Sequence, residues 1–207
     1  MMMVAMLVAA PSAQAAWTQI TNSGLRTSDN TGKPGHFQFF NESEIYGMGG
    51  NGVVYLWGSG KTPTSPWEES DRKTADGATD HFFVEPVNKG IYGLGGNGAV
   101  YRNEPSNKSW LHMITSDGAR TSANSNGKPG HFQMFGEGTV YGLGQDGAIL
   151  KTSGGQAWST AVTSTGIVDH FYVTPDSDGR KVYGLGANGG IFKWNASSNT
   201  WDGVTPS

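Results

Sequence analysis

The sequence predicts an all-β protein, a β-propeller with four blades, and three observations carry this prediction. Tryptophan recurs at regular intervals, each interval repeats the same motifs in the same order, and no stretch sustains a helical period of 3.6 residues. The recurring tryptophans are Trp17, Trp67, Trp110, Trp158 and Trp201. Four-stranded units of roughly 45 residues are typical of propeller blades.

The first element of each repeat is a histidine followed by an aromatic run, which predicts a short strand. These histidines are His36, His81, His131 and His170. The second element is a Tyr-Gly-x-Gly segment, which predicts a second strand paired with the first. Its tyrosines are Tyr46, Tyr92, Tyr141 and Tyr183.

A turn dipeptide follows each Tyr-Gly-x-Gly segment and separates it from a third apolar run. The dipeptides are Asn51-Gly52, Asn97-Gly98, Asp146-Gly147 and Asn188-Gly189. Asn-Gly and Asp-Gly favour the positive φ angles that a two-residue hairpin requires at both positions. With the tryptophan run as the fourth strand, each repeat is expected to be a four-stranded antiparallel sheet.

Radial packing of such sheets buries the faces that a single blade would leave exposed. We expect one domain over residues 16–207, in which five segments follow one another in the chain. These are repeats 17–66, 67–109, 110–157 and 158–200, and a closing strand 201–207. Two alternatives are a larger ring completed by a second chain and a β-trefoil, which is less suitable because it needs three repeats.

The repeats alternate between two kinds, as if a unit of two blades had duplicated. Repeats one and three share a longer loop with Gly-x-Arg-Thr-Ser and Gly-Lys-Pro-Gly-His-Phe-Gln, spanning 24–38 and 118–133. Repeats two and four instead share Asp-His-Phe, at 80–82 and 169–171. One of the five tryptophan runs, at Trp17 or at Trp201, is in excess of the four His-Phe strands.

Composition and motifs exclude several classes of function. The chain has 14 Lys and Arg against 17 Asp and Glu, so a basic surface for nucleic acid is not predicted. It has no cysteine, which removes disulfides, thiolate nucleophiles and cysteine-based metal sites. No nucleophile elbow, zinc-protease helix or phosphate-binding loop is present in the sequence. We therefore predict a protein that is not an enzyme and needs no cofactor or metal.

The N-terminus predicts export. Residues 1–10 are almost wholly apolar, and 11–15 end in an Ala-x-Ala arrangement, as in a signal peptide cleaved after Ala15. The apolar run is shorter than the roughly 20 residues that span a bilayer. We expect residues 1–15 to be a signal peptide and the mature protein to be secreted, without a membrane span.

The repeated polar and aromatic residues are the candidate ligand contacts. They are His36, His81, His131, His170, Asp80, Asp169, Arg26, Arg120, Trp67 and Trp158. The histidines have three interpretations: a structural hydrogen-bond network, ligand contacts near the clefts between blades, or a ring of metal ligands on the axis. The tryptophans are either blade packing or platforms for the apolar face of a sugar ring.

The order of these motifs resembles the tachylectin-type β-propeller lectins. The clearest match is 158–194, with a Trp-led strand and a Phe-rich strand at 169–173, followed by Val182-Tyr183-Gly184-Leu185 and Ile191-Phe192-Lys193. Similar matches cover all four repeats. The resemblance implies a secreted lectin for N-acetylated sugars such as GlcNAc, with sites in clefts between adjacent blades. Members of that family have five blades, whereas this chain has four repeats.

The sequence thus favours a secreted glycan-binding protein whose repeated sites gain from multivalency. Its expected partners are cell-surface glycans or polysaccharides, and homo-oligomers are an open alternative. The alternative function is a non-catalytic propeller scaffold that docks another protein on one face. Exposure of the histidines distinguishes the two hypotheses, because buried histidines favour the scaffold.

Overall fold

The structure is a computed structural model, and part of the chain lies outside its described residues. The described residues are 19–27, 31–78, 80–152, 157–162, 167–175, 177 and 179–205, without the side chains of 167–169. The predicted signal peptide and Trp17 lie outside them. In the described part, no helix is long and apolar enough to cross a membrane.

Four antiparallel sheets form a four-blade β-propeller, which confirms the predicted fold class. Blade one holds β1 (Phe37–Asn41), β2 (Glu44–Met48) and β3 (Val54–Trp57). Blade two holds β4 (Phe82–Val84), β5 (Ile91–Leu94), β6 (Val100–Glu104) and β7 (Ser109–Met113). Blade three holds β8 (Phe132–Met134), β9 (Val140–Leu143), β10 (Ile149–Lys151) and β11 (Ser159–Val162). Blade four holds β12 (Ile167–Val173), β13 (Val182–Gly186), β14 (Ile191–Asn195) and β15 (Thr200–Gly203).

The strands of every sheet follow one another in the order of the sequence, and in blades two, three and four they run from the His-Phe strand to the tryptophan strand. The strand β15, which contains Trp201, pairs with β14 and so completes the fourth blade from its own sequence neighbour. In blade one, the tryptophan segment does not form a full strand. Pro63 and Pro66 cannot donate to a ladder, and a 3₁₀ turn follows at Glu69–Asp71. A single bridge between Tyr55 and Arg72 takes the place of the fourth strand.

The turn between the second and third strands differs from the predicted two-residue hairpin. Among the described residues of these dipeptides only the glycines have positive φ, such as 81° at Gly52 and 83° at Gly98. The amide of Gly52 donates to the Gly49 carbonyl at 3.0 Å, and Gly49 donates to Val53 at 2.8 Å. This is a type I turn closed by a left-handed glycine, a common hairpin loop that is longer than the predicted two-residue loop.

The hydrophobic core lies between blades rather than within one sheet. Three buried clusters fill the interfaces of blades one with two, two with three, and three with four. In the first of these, Met48 and Val54 of blade one pack with Phe82 and Val84 of blade two, all buried. Each blade is therefore stabilised by its neighbours.

The buried phenylalanine of β8 gives a test of this packing. Phe132→Ala removes a ring from the interface between blades two and three, and we expect it to lower the free energy of unfolding by about 3–5 kcal/mol. Val87→Ala, at an exposed turn, is the control and should change stability by less than about 0.5 kcal/mol. Urea denaturation of both variants measures the difference. Equal effects of the two substitutions would contradict the assigned core.

Candidate functional site

The four repeated histidines come together at the centre of the propeller. His36, His81 and His131 each immediately precede the first strand of their blade, His170 lies within β12, and the four rings form a continuous series. The ring centroids of His36 and His81 lie 3.8 Å apart, those of His81 and His131 4.3 Å, and those of His131 and His170 3.9 Å. Three of the rings also meet a phenylalanine of the next blade edge to face, at 4.9 or 5.0 Å.

Burial of the histidines varies along this series. His81 and His131 are buried, His36 is partly buried and His170 is exposed. Hydrogen bonds join the ring of His36 to the backbone of Phe82, and the ring of His131 to the backbone of Phe171, so each links two blades. This arrangement matches the structural interpretation for the buried members, and ligand contact by the histidines stays a prediction.

The protonation of these histidines is suppressed. Burial, with the nearby His170 and Arg26, lowers the pKa of His36 to about 4. Burial and the neighbouring histidines hold the pKa of His81 and of His131 well below the usual value. The cluster is therefore neutral at pH 7, which suits rings packed against one another. Within the described residues, no group of three or more His, Asp or Glu side chains is arranged to hold a metal ion.

The two repeated arginines hold the long loops of blades one and three. Arg26 and Arg120 are both buried, and each donates from Nε to a proline carbonyl at 2.9 Å, that of Pro34 or Pro129. Burial lowers the pKa of Arg26, an effect that the carboxylate of Asp80 opposes. In this structure both guanidinium groups are engaged in shaping their own loops.

Asp80 links blade two to the long loop of blade three. It is buried, and its carboxylate accepts hydrogen bonds from the Ser122 amide at 2.5 Å and the Gly130 amide at 2.9 Å. The Ser122 hydroxyl donates to the same carboxylate. The side chain of Asp169, its counterpart in the fourth repeat, lies outside the described residues.

The repeated tryptophans lie at the outer side of the blades and are partly buried. The indole Nε1 of Trp67 donates to the Asn22 carbonyl at 3.1 Å, and that of Trp158 donates to the Ser116 carbonyl at 2.8 Å. Trp110 makes the same contact with Ala75 at 3.1 Å. Each indole is thus fixed against the segment that leads into its own blade.

Two of these tryptophans line clefts of nearly equal size, about 250 Å³ in blade one and about 260 Å³ in blade two. Equivalent residues line both clefts. They are Trp67 and Trp110, Tyr55 and Tyr101, Gly24 and Gly77, and Gly49 and Gly95. Each cleft is lined by residues of a single blade, whereas the sequence predicts clefts between blades.

The site residues predicted from the sequence do not include Tyr55, Tyr101 or Trp110. A signal was present, because each tyrosine lies four residues after the asparagine of its turn and Trp110 occupies the repeat position of Trp67. The rim carboxylate of the second cleft, Asp76, was also missed. It is exposed and accepts from Asn51 Nδ2 and Arg72 Nη2, each at 3.0 Å.

Comparison with known proteins adds no family. No protein-family model matches the chain, and no curated protein matches it. Among solved structures, the chain is similar to one from the complex of the fission yeast SREBP–SCAP binding domains, with 11% sequence identity and a TM-score of 0.40. That match covers 98% of this chain and 52% of the other, so this chain spans about half of the length of its match.

The central histidines predict that acid destabilises the fold. Their pKa values are depressed in the folded protein, so the unfolded chain binds more protons below about pH 6.5, a window that for His36 extends down to about pH 4. Stability is complete above this window and falls as the pH drops through it, by up to about 1.4 kcal/mol per pH unit for each of His36, His81 and His131. Urea denaturation at several pH values measures the slope.

His131→Gln should reduce this slope even where it lowers stability at pH 7, because it removes one of the suppressed titrations. The control is His112→Gln, which removes the exposed histidine of β7. A slope that is the same in wild type and His131→Gln would show that the cluster does not cause the acid sensitivity.

Asp80 gives a second prediction about the link between blades two and three. In the wild type, the Asp80 carboxylate accepts three hydrogen bonds. Asp80→Asn replaces one of its oxygens with an NH2 group, which cannot accept a hydrogen bond and faces the same donors. We expect a loss of about 1–3 kcal/mol in the free energy of unfolding. Asp117→Asn, at an exposed carboxylate bonded to Asn97, is the control and should cost less than about 0.5 kcal/mol. Thermal or urea unfolding distinguishes the two.

Proposed function

We propose that this protein is an exported, non-catalytic lectin that binds single sugar units in the repeated Trp–Tyr clefts of its blades. The propeller fold supports a binding or scaffold role. The observation that supports the finer proposal is the recurrence of one cleft, with equivalent aromatics and nearly equal volume, in blades one and two. Equivalent sites on one chain suit binding by avidity more than they suit catalysis, which needs one constellation.

The chemistry of the clefts fits a sugar ring. Tryptophan and tyrosine offer apolar faces for the C–H groups of a pyranose, and a polar tip beside them. In blade two, the Asp76 carboxylate at the rim can accept from sugar hydroxyls, and it is already oriented by Asn51 and Arg72. The indole of Trp110 is held by its bond to Ala75, so little ordering is needed on binding.

The size of the clefts limits the ligand to a small unit. Sites for drug-sized ligands are about 300–1,000 Å³, and these clefts lie just below that range. Single-site affinity is expected to be weak, about −4 to −8 kcal/mol, with useful binding arising from several clefts on one molecule. The resemblance to tachylectin-type lectins makes GlcNAc and other N-acetylated sugars the first ligands to test.

One observation favours the alternative, a scaffold that docks another protein. His81 and His131 are buried in the centre, so in this structure these two of the four repeated histidines have a structural role. The scaffold hypothesis needs none of the clefts, and it therefore predicts that substitutions in them leave binding of the partner intact. The sugar experiment below separates the two hypotheses.

The test is a glycan array probed with the full chain, followed by calorimetry with the best monosaccharide. We expect binding that free sugar competes away, and Trp110→Ala should reduce the number of sugars bound per chain by one. Leu111→Ala, at the adjacent exposed position, is the matched control and should leave the stoichiometry unchanged.

Asp76→Ala provides a variant that does not touch the core, because this side chain is exposed. It should weaken binding in the second cleft by about tenfold, or about 1.4 kcal/mol, through loss of a hydrogen bond to a charged acceptor. A blank array at saturating protein, or unchanged binding by both Trp110→Ala and Asp76→Ala, would contradict the proposal and favour the scaffold.

A further inference from the structure

Each interface inside the propeller is formed by two different apolar faces, one from each of two consecutive blades. The leading face of a blade consists of the apolar side chains of its first strand. The trailing face consists of the apolar side chains at the end of its second strand and at the start of its third strand. In blade two, Phe82 and Val84 form the leading face, and Leu94 and Val100 form the trailing face. In all three core clusters, the trailing face of one blade packs against the leading face of the next.

The leading face of blade one has no such cover. Phe37 is 65% exposed and Phe39 is 49% exposed. The residues that occupy the position of Phe37 in the other blades are at most 1% exposed: Phe82, Phe132 and Phe171. Two phenylalanines that the repeat pattern assigns to an interface therefore lie in solvent, which is costly for side chains of this size.

The trailing face of blade four is exposed in the same way. Ile191 is 42% exposed, whereas its counterparts are fully buried: Val54, Val100 and Ile149. Leu185 and Tyr183 are only partly buried, and with Ile191 they line an open cavity of about 270 Å³.

The turns show the same difference between the internal interfaces and the end of the array. A Cβ on Gly52 or on Gly98 would collide with the carbonyl of Ala78 or Ala119, in the next blade. A Cβ on Gly189 would meet nothing within 4 Å. The turn of blade four thus lacks the contact that the turns of blades one and two make with their neighbours.

We propose that the two exposed faces bind each other between two copies of this chain, the trailing face of blade four in one copy against the leading face of blade one in its partner. This contact would continue the internal interfaces, because the two ends present the two complementary halves of an interface that the fold forms three times. The contact is head to tail, since the two faces differ.

The number of blades selects the number of copies. Head-to-tail contacts give rings when the rotation closes, and propellers have about four to eight blades. Two chains give the upper value, and three chains would exceed it. We therefore expect a dimer with two equivalent contacts, each of the kind seen between consecutive blades.

Sedimentation velocity and light scattering on the full chain over a range of concentrations test the assembly. We expect a species of twice the 21.9 kDa chain mass that dissociates on dilution. A monomer at every concentration would overturn the proposal. That result would mean that the faces are covered within one chain, by closure of blade four on blade one or by another segment.

Single charged substitutions test the orientation of the contact. Phe37→Glu and Ile191→Arg should each raise the dissociation constant at least about a hundredfold, because each places a charge in one half of an apolar interface. Both positions are exposed in the single chain, so folding should survive, and circular dichroism checks this. Leu111→Glu, at an equally exposed position on the outer strand β7, is the control and should remain a dimer.

Mixing the two monomeric variants separates a head-to-tail contact from a face-to-face one. In a mixture of Phe37→Glu chains with Ile191→Arg chains, one contact is native and the other joins glutamate to arginine. We expect the mixture to form dimers that neither variant forms alone. If Phe37→Glu abolishes the dimer and Ile191→Arg leaves it intact, the head-to-tail arrangement is overturned, because the two copies then meet through blade one.

Discussion

The packing of one blade against the next is the interaction on which the rest of this structure depends. Each sheet is only three or four strands wide, and one such repeat cannot bury its own apolar face. Buried clusters between consecutive blades provide that cover, and each draws on residues from two repeats. The regular spacing of the repeats follows from this dependence, because a blade of different geometry would disturb both of its neighbours.

The polar contacts between blades alternate along the chain, and this explains the two kinds of repeat. Gln38 of blade one bonds both backbone groups of Val84 in blade two, each at 2.7 Å. Gln133 of blade three does the same with Val173 of blade four, at 2.7 and 2.8 Å. Between blades two and three, the Asp80 carboxylate and the long loop of blade three serve instead. The glutamines that repeats one and three share, and Asp80 of repeat two, thus belong to two types of interface.

Much of the architecture could be predicted because it follows from local periodicity. The four His-Phe strands and the Tyr-Gly strands are set by alternation and by turn glycines, and both need only neighbouring residues. The convergence of the four histidines could not be predicted, since it depends on how closely the blades approach the axis. The 3₁₀ turn beside Trp67 was missed for a related reason: the reciprocal bonds between Glu68 and Asp71 compete with a strand there.

The packed centre and the clefts at the outer side of the blades differ in their capacity to bind a ligand. At the centre, the neutral imidazole rings of consecutive blades are in contact, and this packing fixes the relative orientation of those blades. The Trp–Tyr clefts lie away from it, next to the lead-in segments that the indoles hold in place. A rigid centre keeps the spacing between the two clefts constant, and constant spacing is what the proposed weak sites need to act together on one polymer. The histidines, which repeat most strictly, build the frame, whereas the cleft aromatics share a repeat position but have rim residues that vary, such as Ser23 in one cleft and Asp76 in the next.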